Sequence, residues 1–276
     1  MKKPLILACL PIIIFATGYF LPAGTAQNVE SNVSDDDAKS VTGAAVENPE
    51  SRIDLSGWKL TLPTSEAGTY KGDPKEIKAS TLVEGFSDEH FYTDSKGAIV
   101  FWCPVNGCTT KGSSFPRSEL REMLEPGNTK RNWEFAGSHT MEARCRIMEL
   151  PEYSKVVIGQ IHGYSGKKKP LIKLQYFKGR IEAMVKVSPN KGKDKKLKFP
   201  DIDLDEDISW KIKLDDGVLS VTVNGKTKSR NMLESDEDWA DQTFYFKAGA
   251  YPQGNKGDES EGARISFSEL SVSHES

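Results

Sequence analysis

The stretch that decides the fold is Tyr245-Phe246-Lys247-Ala248-Gly249-Ala250-Tyr251-Pro252-Gln253, near the end of the chain. If this stretch forms a β-strand, its side chains alternate between two faces. One face is small and apolar, as a hydrophobic core requires: Phe246, Ala248 and Ala250. The opposite face is mostly polar: Tyr245, Lys247, Gly249, Tyr251 and Gln253. A solvated face rarely needs two phenols beside an ammonium group, so this row predicts the floor of a cleft for an anionic, polyhydroxylated molecule.

The rest of the chain indicates an all-β protein. Helix-period patterns are scarce, whereas short runs rich in Val, Ile, Phe, Tyr and Trp alternate with Gly, Asn and Asp. The clearest runs are Trp58–Leu62, Ala98–Trp102, Leu171–Tyr176, Ile181–Val187, Trp210–Leu214, Val218–Val223 and Arg264–Val272. Turn sequences such as Asp215-Asp216-Gly217 and Asn224-Gly225 connect several of these runs into hairpins. The pattern predicts two stacked antiparallel sheets.

Residues 1–26 are predicted to be a signal peptide. Lys2 and Lys3 precede a long apolar run, and Ala23-Gly24-Thr25-Ala26 offers small residues for cleavage. The alternatives are an uncleaved membrane anchor, because the run approaches the roughly 20 residues that span a bilayer, and a lipoprotein signal around Cys9. Every reading predicts export, and we expect a secreted, periplasmic or cell-surface protein with no stable membrane association after cleavage.

Residues 27–50 are predicted to be an acidic, flexible linker before a catalytic domain at residues 51–276. The linker holds six acidic residues and one basic residue, and residues 1–26 hold two lysines. Since the whole chain has 37 basic and 40 acidic residues, residues 51–276 contain 34 of each and are neutral. Affinity for an anion must therefore come from a local cluster of positive charge, and nucleic acid is a poor candidate for the ligand.

The cysteines left after signal cleavage are Cys103, Cys108 and Cys145. Cys103 and Cys108 flank the turn-like sequence Pro104-Val105-Asn106-Gly107, and export permits disulfides, so we expect a Cys103–Cys108 bridge and a free, buried Cys145. The alternative is that all three are small buried hydrophobic residues. No spacing of Cys and His suggests a zinc site.

Two further stretches place polar side chains on one strand face. In Arg117-Ser118-Glu119-Leu120-Arg121-Glu122, the two arginines flank Glu119 on one face and could bind a carboxylate in bidentate geometry. In Gly159-Gln160-Ile161-His162-Gly163, an amide and an imidazole follow a run of Val and Ile. The alternatives are a surface salt-bridge ladder for the first stretch and a buried, satisfied histidine for the second.

A row of alternating aspartates follows Pro200: Asp201, Asp203, Asp205 and Asp207. Alternating carboxylates could serve a glycosidase, or they could bind calcium, although Glu206 stands where an EF-hand loop needs glycine. The interpretation that we favour is a solvated loop after Pro200.

Together, the three polar stretches resemble the signature blocks of polysaccharide lyase family 7, the alginate lyases, and they occur in that family's order. Leu55–Pro63 and the stretch from Phe91 through Pro104 also look like the family, so the resemblance covers essentially residues 51–276. It implies a β-jelly roll with a concave cleft, and β-elimination on a 1,4-linked polyuronate such as alginate.

The resemblance also implies roles for the polar residues. Arg117 and Gln160 would neutralise the substrate carboxyl group while the proton on C5 is removed. His162 or Tyr251 would take that proton, depending on the configuration at C5, and Tyr251 would protonate the departing O4 oxygen. Further residues would contact neighbouring sugars: Glu119, Arg121, Lys247, Tyr245 and Gln253. Neither a metal nor an organic cofactor is expected.

The substrate preference follows from position 161. In the family that the chain resembles, Gln-Ile-His is associated with guluronate-containing blocks and Gln-Val-His with mannuronate blocks, and this chain has Ile161. We therefore expect a lyase that prefers guluronate-containing alginate. We also expect the enzyme to be endo-acting and monomeric. The alternatives are a lyase for another polyuronate such as glucuronan, a hydrolase that uses the aspartate row, and a non-catalytic uronate-binding module.

Overall fold

A computed structural model describes residues 51–153 and 155–275. The predicted signal peptide at 1–26 and the predicted linker at 27–50 lie outside these residues. The described part is a β-jelly roll of two antiparallel sheets, which confirms the predicted fold class. No helix among the described residues has the length and apolar character needed to cross a membrane.

The two sheets contain nine and seven strands. The nine-stranded sheet consists of β1 (Trp58–Thr61), β2 (Glu76–Ile77), β5 (Ser118–Glu122), β6 (Trp133–Glu134), β8 (Lys155–Gly163), β9 (Pro170–Phe177), β10 (Arg180–Lys186), β11 (Asp194–Asp201) and β15 (Thr243–Pro252). The seven-stranded sheet consists of β3 (Phe91–Thr93), β4 (Ile99–Pro104), β7 (Ser138–Glu149), β12 (Ile208–Asp215), β13 (Val218–Val223), β14 (Lys226–Asn231) and β16 (Gly262–Glu275). A short helix α1 (Ala79–Val83) and a 3-10 turn (Glu237–Trp239) complete the secondary structure of the described residues.

The strand order places β15, which contains most of the stretch Tyr245–Gln253, in the middle of its sheet. The order is β11-β10-β9-β8-β15-β5-β1-β2, with β6 paired to the start of β15, and the second sheet runs β14-β13-β12-β7-β16-β4-β3. Strand β15 is therefore flanked by β8 and β5, the two strands that carry the other polar stretches. Sequence-distant segments meet because the jelly-roll connections, and not chain order, decide which strands are neighbours.

The hydrophobic core lies between the two sheets. The predicted apolar face of β15 is fully buried there, with Phe246, Ala248 and Ala250 each 0% exposed. The seven-stranded sheet contributes aromatic side chains such as Phe101, whose ring meets Phe267 edge-on at 5.4 Å. The alternation predicted from the sequence therefore decides which face of β15 packs against the core and which remains open.

Three tight hairpin turns explain the signals seen in the sequence. Each turn has two consecutive residues with positive φ, the conformation of a type I′ turn that matches the twist of the flanking strands. The pairs are Lys178 with Gly179, Asp216 with Gly217, and Asn224 with Gly225. The hairpin strands β9–β10 and β12–β13 follow the predicted runs to within one or two residues at each end.

The expected Cys103–Cys108 bridge is wrong, because both cysteines are free. Cys103 lies in β4 with its side chain in the sandwich core, where its thiol contacts the Pro104 carbonyl oxygen at 3.6 Å. The Cys108 thiol instead contacts the Thr69 carbonyl oxygen at 3.5 Å. The two thiols therefore have different neighbours. Cys145 is free and buried, as expected.

The four aspartates lie at the end of β11 and in the solvated loop that follows it, in agreement with the interpretation favoured above. Asp201 ends β11 and pairs with Arg180, while Asp207 precedes β12 and receives two hydrogen bonds from Arg146 at 2.7 and 3.2 Å. All four aspartates are exposed. Among the described residues, no group of three or more His, Cys, Asp or Glu side chains is arranged to hold a metal ion.

A close approach between the sheets generates a stability prediction. A Cβ atom on Gly159 of β8 would lie 2.9 Å from the ring of Trp210 in β12, and Trp210 is only 2% exposed. Because the ring has little room to move, we expect Gly159→Ala to lower the free energy of unfolding by about 1–3 kcal/mol, as overpacked cores do. Urea denaturation measures the change.

The matched control is Gly192→Ala, since a Cβ atom there meets nothing within 4 Å. Equal stability of the two variants would contradict the close approach.

Candidate active site

A cleft of about 840 Å³ lies on the open face of the nine-stranded sheet, opposite the core. The four predicted catalytic residues all line it, although they are spread over more than half of the described chain: Arg117, Gln160, His162 and Tyr251. Three of the predicted substrate-binding residues line it as well: Arg121, Tyr245 and Lys247. The structure thus brings the three polar stretches into one site.

Strand register explains this convergence. Lys247 in β15 lies opposite Arg121 of β5 on one side and opposite Gln160 of β8 on the other. Two positions earlier, Tyr245 lies opposite His162. Residues that are directly opposite in antiparallel strands point to the same face. Since Lys247 faces the cleft, its partners Arg121 on β5 and Gln160 on β8 face the cleft as well.

Gly249 allows β15 and β5 to approach closely behind the site. It has φ +145°, and a Cβ atom there would lie 2.5 Å from the Ser118 carbonyl oxygen. The pairing with β8 also shifts register between Ala248 and Tyr251, which marks a β-bulge. Bulges next to active sites redirect side chains. Tyr251 stands just after this bulge and enters the cleft.

Glu119 is the hub beneath the cleft floor. It is 1% exposed, and its carboxylate accepts hydrogen bonds from Arg117 Nη1 at 3.0 Å, from Gln160 Nε2 and from Lys247 Nζ. Burial alone would raise the pKa of this carboxyl group, but the charges of Lys247 and Arg117 outweigh burial and lower it. Glu119 therefore stays ionised and fixes three cleft side chains from below.

Lys247 is affected in the opposite sense. Burial and the nearby Arg117 charge lower its pKa to about 8, although Glu119 favours the charged form. The ammonium group is thus charged at neutral pH and lies close to its titration range. Arg117, Lys247 and Glu119 therefore form a cluster with one more positive than negative charge.

His162 is held as a neutral imidazole. Its Nδ1 lies 2.9 Å from the Gly163 carbonyl oxygen, which can only accept, so Nδ1 carries the proton and Nε2 keeps the lone pair. Burial and the charge of Lys247 lower the pKa of His162 to about 3. The Tyr245 hydroxyl lies 3.1 Å from Nδ1, and the two rings stack with centroids 5.3 Å apart. An oriented, neutral imidazole with a free lone pair, here on Nε2, is what a general base requires.

Tyr251 stands beside a guanidinium group and a hydroxyl. The Arg117 guanidinium carbon lies 4.0 Å from the centre of the Tyr251 ring, a cation–π contact. The Tyr251 hydroxyl lies 3.0 Å from Ser113 Oγ, and Arg117 Nη2 donates to the same oxygen at 3.0 Å. Ser113 therefore links the phenol to the guanidinium group.

Ser113 is a site residue that the sequence reasoning missed. It lies in the loop between β4 and β5, where neither alternation nor charge marks it. The structure also relocates two predicted substrate contacts. Glu119 lies below the surface of the cleft, and Gln253 is not among the residues that line it. The Gln253 amide instead points at the Tyr251 and Pro252 carbonyl oxygens, at 3.4 Å.

Arg121 is held in place by neutral acceptors. Its guanidinium group donates to the carbonyl oxygens of Glu122 and Thr129, each at 2.7 Å, and to Asn132 Oδ1 at 2.6 Å. The guanidinium carbon also lies 4.1 Å from the centre of the Tyr245 ring. These contacts orient Arg121 without neutralising its charge, so the charge remains for a ligand.

A row of residues in mutual register crosses seven strands of the cleft floor. Neighbouring strands are about 4.8 Å apart, so the row extends over roughly 29 Å. In strand order it is Lys59, Arg121, Lys247, Gln160, Lys173, Met184 and Lys196. More lysines line the cleft beside the row: Lys111, Lys167, Lys168, Lys169 and Lys186. Residues 51–276 are neutral as a whole, but this groove concentrates positive charge. Such a local cluster is what a neutral domain needs in order to bind an anion.

The fold and the site together define a class of protein. A jelly roll with a long basic groove, a neutral imidazole, a phenol and a buried carboxylate hub is suited to binding and cleaving an acidic polysaccharide.

Comparison with known proteins agrees. The model of the alginate lyase family matches residues 53–274. An alginate lyase from Klebsiella pneumoniae is 28% identical over 289 aligned positions, which cover 84% of this chain and 92% of that protein.

Solved structures show the same relationship. Alginate lyase A1-II', a member of polysaccharide lyase family 7, is 39% identical with a TM-score of 0.74, covering 80% of this chain and 96% of that one. An alginate lyase from Pseudomonas aeruginosa is also 39% identical, with a TM-score of 0.72, covering 80% of this chain and all of that one. The chain belongs to the alginate lyase family and is a polysaccharide lyase.

The buried hub generates a prediction for Glu119→Gln. Removing the charge leaves Arg117 and Lys247 close together without their counter-ion, so we expect the free energy of unfolding to fall by about 3–5 kcal/mol at pH 7. The pKa of Glu119 is lowered, so its stabilisation is present above the ordinary carboxyl range and is lost as the pH falls. The difference between variant and wild type should therefore narrow in acid, which urea denaturation at several pH values measures.

Glu134→Gln, at an exposed position of β6, is the matched control and should change stability by no more than about 0.5 kcal/mol. A Glu119→Gln protein as stable as this control would rule out the hub.

Proposed function

We propose that the protein depolymerises alginate by β-elimination in the cleft. The reaction breaks the bond between C4 and the O4 oxygen, moves the C5 proton to a base, forms a double bond between C4 and C5, and gives a proton to O4. The observation that carries this proposal is a neutral imidazole and a phenol lining one cleft with a guanidinium group. Those are a base, an acid and a group that neutralises a carboxylate.

Arg117 and Gln160 neutralise the carboxyl group of the sugar that loses its proton. Removal of the C5 proton moves charge onto that carboxyl group, and a fixed donor stabilises the charge best when it need not reorganise. Glu119 supplies this rigidity, because it holds Arg117 Nη1 and Gln160 Nε2 from below. Lys247, on the same hub, adds a third positive or hydrogen-bonding group.

His162 and Tyr251 perform the proton transfers. His162 Nε2 holds a lone pair and accepts the C5 proton where the configuration at C5 directs it to that side. Tyr251 donates to O4, and it also acts as the base where the C5 proton lies on its own side. The contacts of Tyr251 with Arg117 and Ser113 support this role, because they hold the ring and its hydroxyl group in the cleft.

The solved relatives support binding of alginate fragments in this groove. A tyrosine-to-phenylalanine form of A1-II' was solved in complex with product (GGG), and a form with an added histidine-to-asparagine change was solved with substrate (GGMG). For this chain, we propose endo-action with a preference for guluronate-containing blocks, supported by Ile161 and by the open, extended cation row. We also propose that the protein is exported, on the strength of its N-terminal sequence, and that it acts as a monomer.

The test is an assay of purified protein on alginate, polymannuronate, polyguluronate and glucuronan. Elimination leaves an ultraviolet-absorbing unsaturated uronate, whereas hydrolysis does not. A hydrolase would need the aspartate row, and that row lies in an exposed loop paired with Arg146 and Arg180, outside the cleft. No cleavage of any of these polymers would leave the non-catalytic binding module as the better description.

The role of the phenol predicts the effect of Tyr251→Phe. The change removes only a hydroxyl group, so we expect the fold to persist and turnover to fall at least about a hundredfold, as loss of a general acid or base does. Tyr92→Phe is the matched control, because Tyr92 lies in β3 of the other sheet and its hydroxyl contacts Arg264. Wild-type turnover in Tyr251→Phe would remove this residue from the mechanism.

The division of labour predicts a substrate-dependent effect of His162→Ala. For guluronate, base and acid can stand on opposite sides of the ring, so loss of His162 should cost more on polyguluronate than on polymannuronate. Steady-state kinetics on the two homopolymers measure the difference. Equal losses would argue against separate roles, and a wild-type specificity constant that is higher on polymannuronate would contradict the proposed preference.

A further inference from the structure

A second buried carboxylate, Glu122, lies on the face of β5 that is turned away from the cleft. It is 3% exposed, and its Oε2 accepts hydrogen bonds from Trp133 Nε1 at 3.1 Å and from the Phe246 backbone N–H at 2.8 Å. Its Oε1 lies 2.5 Å from His274 Nε2. Glu122 thus connects β5 and β15 of the catalytic sheet with the last strand of the other sheet.

The chain of contacts continues through a second histidine. His274 Nδ1 lies 2.9 Å from His139 Nδ1, and His139 Nε2 lies 2.8 Å from the Ala136 carbonyl oxygen. The Trp133 ring covers the network and stacks on His139 with centroids 4.3 Å apart. Glu122, His274 and His139 therefore form one hydrogen-bonded series, which we call the back-face network.

Counting protons along this network determines the charge of each member. The Ala136 carbonyl can only accept, so His139 Nε2 carries a proton, and because burial lowers its pKa, His139 is neutral with a lone pair on Nδ1. His274 must then donate from Nδ1. Glu122 already accepts two N–H groups on Oε2, which favours the carboxylate. His274 must therefore donate from Nε2 as well, and so it is an imidazolium ion.

The network is satisfied at this one proton count. If His274 loses a proton, two lone pairs face each other, either between the two Nδ1 atoms or between Nε2 and Glu122. If His139 gains a proton, two N–H groups face each other. The titratable side chains that meet here are Glu122 from β5, His139 from β7 and His274 from β16, while β15 contributes a backbone N–H and β6 the Trp133 indole.

We propose that Glu122, paired with protonated His274, is a positioning residue for the cleft. Phe246 lies between Tyr245 and Lys247, and Glu122 follows Arg121, so the pair fixes the backbone at three cleft side chains from behind. Without the His274 proton, one of the two contacts of this imidazole is left without a hydrogen, and the support behind the cleft is weaker. The pair acts through the strands and touches no substrate.

The first experiment needs no activity and so does not depend on the proposed function. Imidazole nitrogen NMR signals of the wild-type protein should show His274 doubly protonated at pH 7 and His139 neutral. In Glu122→Gln, the amide N–H can donate to His274 Nε2, so His274 should become neutral while the fold persists. A neutral His274 in the wild-type protein at pH 7 would overturn the proposal.

The second experiment measures kcat and KM on alginate between pH 6 and 9, in the variant His274→Phe. We expect kcat at pH 7 to fall about tenfold to a hundredfold, as small misplacements of catalytic groups do, with little change in KM. The alkaline decrease in kcat should then be weaker than in the wild-type protein. Glu122→Gln keeps a hydrogen bond to His274, so its kcat at pH 7 should stay closer to the wild-type value than that of His274→Phe.

The control for general destabilisation is Val221→Ala, at a fully buried position of β13, a strand that contributes no residue to the network. It should lower stability and leave the pH profile of kcat unchanged. A folded His274→Phe protein with wild-type kcat and pH profile would refute the positioning role. If His274→Phe does not fold, the NMR result on the wild-type protein decides. A wild-type protein without lyase activity would refute the proposed function, and again only the NMR result would bear on the network.

Discussion

The ion pairs and hydrogen bonds of Glu119 are the interaction on which the site depends. A carboxylate that is 1% exposed is tolerated only when charged and polar donors replace the lost water. Here the donors are Gln160 of β8, Lys247 of β15 and Arg117, the residue directly before β5. The register of the three strands, the orientation of the side chains and the charge of the cleft floor are therefore coupled. A slip of one residue in any strand would turn its donor into the core.

The same cations serve two purposes in the cleft. Lys247 and Arg117 provide positive potential for an anionic chain, and Lys247 also helps burial to lower the pKa of His162 to about 3. A basic groove thus keeps its histidine neutral without a separate device. Since residues 51–276 have equal numbers of acidic and basic residues, this potential is local. It arises from the cross-strand row together with Arg117 and the lysines that line the cleft beside the row.

Strands β5 and β15 carry chemistry on both faces. Their cleft faces present Arg117, Arg121, Tyr245 and Lys247, whereas their back faces meet the core and the Glu122–His274 pair. A residue with an unusual conformation, Gly249, lets the two strands approach closely at this point. The site is therefore supported from the second sheet as well as within its own, which suits groups that must not reorganise during proton transfer.

The sequence by itself determined the alternation of strands, the exposed and buried faces of β15, and the residue types of the site. Those depend on local periodicity, which the backbone geometry of a strand imposes on any chain. Tertiary structure decided what lies opposite what. It placed Ser113 beside Tyr251 and buried Glu119 beneath the floor of the cleft. It also left Gln253 outside the cleft lining and gave the thiols of Cys103 and Cys108 different neighbours. Those outcomes depend on which distant strands become neighbours and on where a loop side chain points, and no local pattern contains that information.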